Sequence, residues 1–276
     1  MQLEVILPYF ANYIENELGI VYADHNYFQL QNRLEQIASL LNFGSLQNLY
    51  DHAQKYGFNG PLRKLLLDLA TNNETSFFRD MKVFQSIEGQ VLPALLEKYP
   101  HQKIRIWSAA SSTGQEALSI SMLFLEASIK RNKVIDFEVL GTDISERVLE
   151  RAKTGEYSQL EVQRGLSQEL ANKYFRKNEN DRFVANRELM SLISYQSLNL
   201  KNEFKFREGF DVVFCRNVLI YQSVAGKIDI LKRISTTVRP GGYLILGAGE
   251  SLLGLSEDYE QMVTSGTVLY RRKGIF

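Results

Sequence analysis

The chain of 276 residues has few of the side chains that bind metals or form covalent intermediates, since it contains one cysteine and three histidines. The single Cys215 excludes an internal disulfide and a cysteine-based metal cluster. His25, His52 and His101 lie far apart in the sequence, which disfavours a histidine metal site and a Ser-His-Asp triad. We therefore expect a site without metal.

The chain also lacks an excess of charge, because its 32 basic and 32 acidic residues cancel. Nothing global therefore favours nucleic acid or an anionic membrane as a partner. No apolar run approaches the ~18 residues of a membrane span, and the N-terminal residues lack the features of a secretory signal. We expect a cytoplasmic protein that neither binds nucleic acid nor inserts into a membrane.

Two different patterns of apolar residues divide the chain into two parts. Leu30, Leu34 and Ile37, and again Leu62 and Leu66, recur at helical spacing, which predicts a small all-helical domain over residues 1–70. From about residue 81, helices alternate with short apolar strands, as in an α/β domain, so we assign 71–276 to a second domain.

Strands are predicted at 104–108, 137–142, 192–198, 211–215 and 242–248, with a closing hairpin around 261–272. The pattern predicts a doubly wound parallel sheet. Residues 154–190 fit it poorly, because their aromatic residues are separated by polar turns. We interpret that stretch as a small antiparallel β-subdomain inserted into the main sheet.

The segment 108–120 joins a strand to a helix through small residues and one glycine, Gly114. Such loops let backbone approach a nucleotide-like ligand, whose phosphate or carboxylate then meets the helix N-terminus. Asp143 ends the next strand, 29 positions after Gly114, where a carboxylate can bind a ribose diol. The alternative is that Asp143 caps the helix opening at Ser145.

Two further segments combine polar and aromatic residues. In Thr71–Asp80, Phe77 and Phe78 would form either a stacking wall for a ligand or a packed hinge between domains. In Phe210–Tyr221, a buried strand leads into polar residues, and Tyr221 would serve the site or simply pack. Cys215 fits a small buried hydrophobe better than a nucleophile.

These segments resemble the CheR-type chemotaxis receptor methyltransferases, and the resemblance covers roughly residues 60–272. The matching segments are Thr71–Asp80 (Thr-Asn-x-x-Thr-x-Phe-Phe-Arg), Arg105–Met122, Gly141–Tyr157, and Phe210–Tyr221 with Arg239-Pro240-Gly241-Gly242. The resemblance implies a Rossmann-like class I methyltransferase sheet. It also implies that S-adenosylmethionine is used to esterify receptor glutamates, with S-adenosylhomocysteine as the product.

Site roles follow from the same resemblance. The residues that would bind the cofactor are Asn73, Thr75, Arg79, Glu116, Asp143, Asn199, Leu200, Arg216 and Asn217. Asp143 would hold the ribose, Asn199 and Leu200 would border the adenine, and Arg216 and Asn217 the amino-acid portion. Arg79 and Tyr221 would be catalytic, orienting the incoming carboxylate. No general base is needed, because a glutamate with a pKa of ~4.3 is already ionised.

The chain departs from the family in three places. Gln115 replaces an acid of the first loop, and the turn Lys177–Asp181 lacks the glycine-rich insertion of members that bind a receptor's C-terminal pentapeptide. Residues 1–60 are acidic, whereas related enzymes use a basic helix there. We expect a monomer that methylates a receptor without tethering.

Three rival functions stay open at this stage. A methyltransferase of the same fold could act on a small molecule or a non-receptor protein. A sensor could bind the cofactor without catalysis, although Arg79 and Tyr221 argue against it. The third is a nicotinamide-dependent dehydrogenase, but its dinucleotide-binding loop requires three spaced glycines, and the segment 108–120 has only Gly114.

Overall fold

The computed structural model describes residues 3–264 and 266–274, which divide into two compact units. The first comprises the chain up to Asn72 together with Tyr221–Lys227, and the second begins at Asn73 and resumes at Ile228. The return of Tyr221–Lys227 to the first unit is a feature that the order of the sequence does not predict.

The first unit is helical, as the spacing of its leucines predicted. Its helices are α1 (Leu3–Leu18), α2 (Tyr27–Leu40), α3 (Leu46–Tyr56) and α4 (Gly60–Ala70), with a 3-10 turn at Asp24–Asn26. Ser45 caps α3 by accepting the Asn48 N–H, and Pro61 lies in the first turn of α4, where its missing N–H costs nothing. Leu34 and Leu49 are fully buried among the helices.

The segment Tyr221–Lys227 is joined to the first unit by backbone pairing. Ile20 and Gln222 form an antiparallel bridge, and the Val21 N–H donates to the Tyr221 carbonyl at 2.9 Å. The Gln222 amide donates to the Leu18 carbonyl at 3.1 Å. These bonds fix the position of Tyr221 within this unit.

The second unit is built on a seven-stranded sheet with the order β6-β2-β1-β7-β8-β10-β9. The strands are β1 (Ile104–Ala109), β2 (Phe137–Asp143), β6 (Ile193–Ser197), β7 (Phe210–Cys215), β8 (Val238–Leu246), β9 (Tyr259–Thr264) and β10 (Thr267–Arg272). The pairs from β6 to β8 are parallel and the last two are antiparallel. The chain reverses its order between β1 and β7, which is where doubly wound folds bind ligands.

The helices of the second unit cover both faces of this sheet. They are α5 (Met81–Ser86), a π-helical turn (Ile87–Val91), α6 (Leu92–Lys98), α7 (Gln115–Lys130), α8 (Glu146–Thr154), α9 (Gln159–Gln163), α10 (Gln168–Tyr174) and α11 (Arg187–Ser191), together with a 3-10 turn (Leu219–Tyr221) and α12 (Val224–Thr237), which each belong in part to the first unit. Ile106 of β1 packs on the side of α7, whereas its neighbour Trp107 packs on the side of α12. This alternation is the two-residue period of a strand buried on both faces.

The predicted antiparallel subdomain and closing hairpin are confirmed. A separate three-stranded sheet has the order β3 (Glu156–Tyr157), β5 (Phe183–Ala185), β4 (Phe175–Lys177), and Thr264 pairs with Thr267 across the hairpin. One boundary was wrong: β8 begins at Val238 rather than 242. Phe210 pairs with Val238 and Val212 pairs with Tyr243, so a single residue of β7 lies opposite the four residues Arg239–Gly242 of β8. The register of the two strands shifts at this irregularity. Over the described residues, no helix is both long and apolar enough to span a bilayer.

A buried ion pair lies at the amino-terminal edge of the sheet, opposite the carboxyl ends of the parallel strands. Asp211 is 1% exposed; its carboxylate accepts the Arg105 backbone N–H at 2.9 Å and the Arg239 guanidinium at 3.0 and 3.1 Å. Glu208 lies 3.7 Å from the same guanidinium, but its side chain is 66% exposed.

We predict that Asp211→Asn lowers the free energy of unfolding by about 2–4 kcal/mol, because the buried donors lose a charged acceptor. The matched Glu208→Gln should cost less than about 0.5 kcal/mol, because water screens an exposed pair. Urea unfolding of the two variants measures the difference. Equal losses would show that burial does not decide the strength of this network.

Candidate functional site

The loop between β1 and α7 lies at the carboxyl edge of the sheet and is held there by backbone bonds. The Ser111 N–H donates to the Thr142 carbonyl at 2.8 Å, and the Ser112 N–H donates to Asp143 Oδ2 at 2.9 Å. Ser112 adopts a left-handed conformation with φ 50°. The loop is therefore fastened to the end of β2, in a conformation that few non-glycine residues adopt.

Gly114 is required for a reason that the sequence did not reveal. Its φ is +92°, and a Cβ there would lie 2.6 Å from the Tyr195 hydroxyl and 3.1 Å from the Tyr157 hydroxyl. The sequence predicts close approach of a ligand at this glycine, and the protein's own tyrosines occupy the space beside it. Tyr157 ends the matching segment Gly141–Tyr157 and Tyr195 lies in no motif, and sequence reasoning gave neither residue a role at this loop.

The two tyrosines support the loop differently. Tyr157 donates its hydroxyl to the Thr113 carbonyl at 2.8 Å, whereas the buried Tyr195 hydroxyl has no hydrogen-bond partner among the described residues. Burial raises the pKa of both phenols, so both stay neutral at physiological pH.

Asp143 joins the loops that follow β1 and β2. Besides the Ser112 N–H, its carboxylate accepts the Ser145 N–H at 3.0 Å, and the residue is 5% exposed. The alternative that Asp143 caps α8 is wrong, because the cap is Ser145, whose hydroxyl accepts the Val148 N–H at 3.4 Å.

The end of β6 meets the same edge. The Leu198 N–H donates to the Asp143 carbonyl at 2.9 Å, which places Asn199 beside the end of β2. Asn199 Oδ1 accepts the Lys201 N–H at 2.9 Å, and Leu200 is partly buried against the Trp107 side of the sheet.

Arg216 follows β7 and binds two other segments at once. Its side chain is 2% exposed; Nη1 donates to Glu116 at 3.0 Å, and Nη2 donates to Asp80 at 2.6 Å and to the Arg79 carbonyl at 2.7 Å. Glu116 also accepts the Ser108 hydroxyl at 2.7 Å. The predicted residues Glu116 and Arg216 are thus in direct contact, and Arg79 joins them through its backbone.

The segment Asn73–Asp80 is bound to the first loop and to α7. The Ser112 hydroxyl donates to the Asn73 carbonyl at 2.8 Å, and the Phe78 N–H donates to the Ser119 hydroxyl at 2.9 Å. The Arg79 guanidinium donates to the Glu74 carbonyl at 3.0 Å. The segment is therefore an ordered wall of the site.

The stacking wall expected from Phe77 and Phe78 is wrong. Phe77 is 1% exposed and meets the edge of Tyr157 with ring centroids 5.0 Å apart, while Phe78 packs on Phe84 at 5.0 Å. Both rings are core residues of the second unit. Adjacent residues both point inward because Phe78 takes a left-handed φ of 46°.

A pocket of about 350 Å³ opens beside the segment Asn73–Asp80. Its lining is Asn73, Glu74, Thr75, Thr113, Gln115, Arg147, Val148, Arg151, Glu161 and Arg164. Arg164 binds Glu74 at 2.7 Å, and this pairing lowers the pKa of the Glu74 carboxyl. Gln115, where the resembling family has an acid, accepts the Thr113 hydroxyl at 2.7 Å inside the loop.

Tyr221 belongs to the first unit, and Arg79 to the second. The Tyr221 hydroxyl accepts a hydrogen bond from the Asn72 side-chain amide at 2.7 Å. Because that bond uses a lone pair, the phenolic hydrogen remains able to donate to another group. Cys215, in contrast, is fully buried, and burial raises the pKa of its thiol, which confirms its reading as a small hydrophobe.

Comparison with known proteins places this geometry in context. A family model described as "CheR methyltransferase, SAM binding domain" matches residues 73–268. Chemotaxis protein methyltransferase Cher2 of Pseudomonas putida is 37% identical over 266 residues, covering 96% of each chain. Chemotaxis protein methyltransferase 1 of Pseudomonas aeruginosa is 38% identical over 267 residues, again 96% of each, and a Vibrio parahaemolyticus relative is 34% identical over 265 residues, 96% of this chain and 95% of the relative.

The contact between Gly114 and Tyr195 can be tested by a double-mutant cycle. We predict that Gly114→Ala lowers the free energy of unfolding by about 2–4 kcal/mol, from the positive φ and the clash. Adding Tyr195→Phe should recover about 1 kcal/mol, because it removes the clashing oxygen. Tyr195→Phe alone should be nearly neutral, because its hydroxyl is unpartnered.

The control for this cycle is Gly249→Ala, because no atom lies within 4 Å of a Cβ built at that position. It should cost less than about 1 kcal/mol. Additive effects of Gly114→Ala and Tyr195→Phe in denaturant unfolding would contradict the assigned contact.

Proposed function

Because the chain belongs to the CheR methyltransferase family, we propose that it transfers a methyl group from S-adenosylmethionine to glutamate carboxylates of chemotaxis receptors, forming methyl esters. The observation that supports this most is the cluster of Arg216 with Glu116, the Asp80 carboxylate and the Arg79 carbonyl beside the first loop. It brings together, within the matched range, residues that the resemblance assigned to the cofactor. The proposal implies a cytoplasmic monomer.

The residues present suit the cofactor. Besides the Tyr195 hydroxyl, two buried polar atoms at this edge have no hydrogen-bond partner among the described side chains, Arg216 Nε and Ser111 Oγ. Buried polar groups in native proteins are satisfied, so both atoms indicate a polar ligand. An amino acid offers a carboxylate for Arg216, and its ammonium suits the carboxylate of Glu116.

We assign the contacts as the family resemblance implies. The proposed cofactor-binding residues are Asn73, Thr75, Arg79, Glu116, Asp143, Asn199, Leu200, Arg216 and Asn217. Asp143 can bind ribose hydroxyls although its oxygens already accept N–H groups, because each carboxylate oxygen has two acceptor sites.

S-adenosylmethionine supplies an electrophilic methyl group on a sulfonium. The protein's task is to hold the acceptor carboxylate in line at ~3–3.5 Å and to exclude water, because a hydrated carboxylate is a poor nucleophile. We assign this to Arg79 by charge and to Tyr221 by the phenolic hydrogen that its bond from Asn72 leaves available. No proton has to be removed from the glutamate.

The proposal is tested with labelled S-adenosylmethionine and receptor fragments. Label that appears on the receptor and is released by mild base indicates glutamyl esters. A receptor fragment shortened at its C-terminus should be labelled equally well, because the turn between β4 and β5 is short and closed by a Lys177–Asp181 pair at 2.9 Å. Label found only on small molecules or other proteins would favour the rival acceptors. A thermal shift with a nicotinamide cofactor but not with S-adenosylhomocysteine would favour a dehydrogenase.

We predict that Arg79→Ala and Tyr221→Phe each lower kcat by about 10- to 100-fold while changing S-adenosylhomocysteine affinity far less, since both groups orient the acceptor. Calorimetry and initial rates measure the two quantities. The controls are Arg207→Ala and Tyr56→Phe, at exposed positions. An affinity that collapses while turnover per bound enzyme holds would contradict the assigned roles.

Receptor docking in this protein should depend little on charge. In the first unit, the Arg33 guanidinium donates to the Tyr22 hydroxyl and to the Ala70 carbonyl, so this cation of α2 serves the fold. Most exposed residues of α2 are uncharged, among them Phe28, Asn32, Gln36 and Leu40, and its one exposed charge is Glu35, which accepts the Gln31 amide at 2.8 Å. A surface with a single charge gains little from electrostatic steering.

We predict that raising NaCl from about 50 to about 500 mM changes KM for the receptor by less than about threefold, because screening removes only charge–charge attraction. Initial rates at fixed S-adenosylmethionine concentration measure this. A rise of tenfold or more in KM would show that charged residues dominate docking.

A further inference from the structure

One carboxylate collects four backbone N–H groups beside the proposed site. Glu250 Oε2 accepts from Asn217 and from Gly247, both at 2.8 Å, and Oε1 accepts from Val218 at 2.9 Å and Ile220 at 3.2 Å. Three of the four donors belong to the segment 217–220, which joins Arg216 to Tyr221. Glu250 is distant in sequence from that segment, and it lies outside the segments that carry the family resemblance.

This arrangement compensates for irregular backbone. Residues 217–220 leave β7 without continuing the sheet, so their N–H groups need other acceptors. Successive N–H groups that converge form an anion-binding concavity, and here the anion is the protein's own side chain. Asn217 takes a left-handed φ of 58°, a conformation that persists only where the surroundings enforce it.

Gly247, at the end of β8, shows how closely the parts fit. A Cβ at this position would lie 2.8 Å from both Asn217 Nδ2 and Glu250 Oε2, and 2.9 Å from the Asn217 nitrogen. A side chain there would push the carboxylate away from its donors. Gly247 therefore offers a second way to disturb the same contact.

We propose that Glu250 is a positioning residue, which fixes Asn217 and, through it, the start of Arg216, so that both can bind the amino-acid portion of the cofactor. This rests on the proposed function. A carboxylate is needed because it is acceptor-only, whereas a carboxamide of the same shape would turn an NH₂ group toward two of the four N–H donors.

The experiment compares two ligands in Glu250→Gln. Adenosine lacks the amino-acid portion that S-adenosylhomocysteine carries, so a defect in positioning should affect only the latter. By calorimetry we expect S-adenosylhomocysteine to bind about 10- to 100-fold more weakly than to the wild type, and adenosine to bind within about twofold. Gly247→Ala should show the same selectivity.

The matched control is Glu257→Gln, because Glu257 is exposed and lies ten positions after Gly247, the last of the four donors. This variant should bind both ligands as the wild type does. Equal S-adenosylhomocysteine affinity in Glu250→Gln and wild type would overturn the inference, as would an equal loss for both ligands, which indicates a general structural role. If Glu250→Gln does not fold, Gly247→Ala decides by the same comparison. A wild-type protein that binds neither ligand would overturn the proposed function itself.

Discussion

A buried guanidinium must be matched by acceptors, and the side chain of Arg216 meets this requirement by joining three segments of the chain, its own and two others. Glu116 comes from the start of α7, Asp80 and the Arg79 carbonyl come from the segment before α5, and Arg216 itself follows β7. Removing one partner would leave a charge uncompensated in the interior, which is among the costliest changes a fold can suffer. The hydrogen bonds that satisfy the Arg216 guanidinium therefore also set the geometry of the proposed cofactor site.

Strain in the second unit is concentrated at the same edge. Phe78, Asp80, Ala110, Ser112 and Asn217 all have positive φ, and they belong to the segments that meet around Arg216 and the first loop. Each such residue is unfavourable by itself and is retained where hydrogen bonds overdetermine it. At the opposite edge, the strands of Asp211 and Arg239 have one positive φ, that of a glycine, Gly241, and the ion pair serves stability. Site and scaffold are therefore divided between the two ends of the strands.

Much of the fold was predictable because it depends on local periodicity. The helices of the first unit, the strands at 104–109 and 210–215 and the Thr264–Thr267 hairpin follow from spacing and turn residues. What failed was set by distant partners. Phe77 packs against Tyr157 and Phe175, far from it in the sequence, and Gly114 is small because of tyrosines from two other strands. The resemblance named the residues around Arg216, but only coordinates show Glu250 facing them from 33 positions away along the chain.

The chain passes between its two units three times, at 72/73, 220/221 and 227/228. A helical unit taken from a relative by joining sequences at residue 72 would therefore arrive without its own seven-residue segment, and would meet the recipient's Tyr221 and Gln222 instead. Those residues pair with Ile20 and Val21 through backbone atoms, which any sequence can supply, but the Asn72 contact depends on a side chain. A chimera of this family that transfers position 72 together with 221–227 follows the division of the chain into its two units, which is not continuous in the sequence.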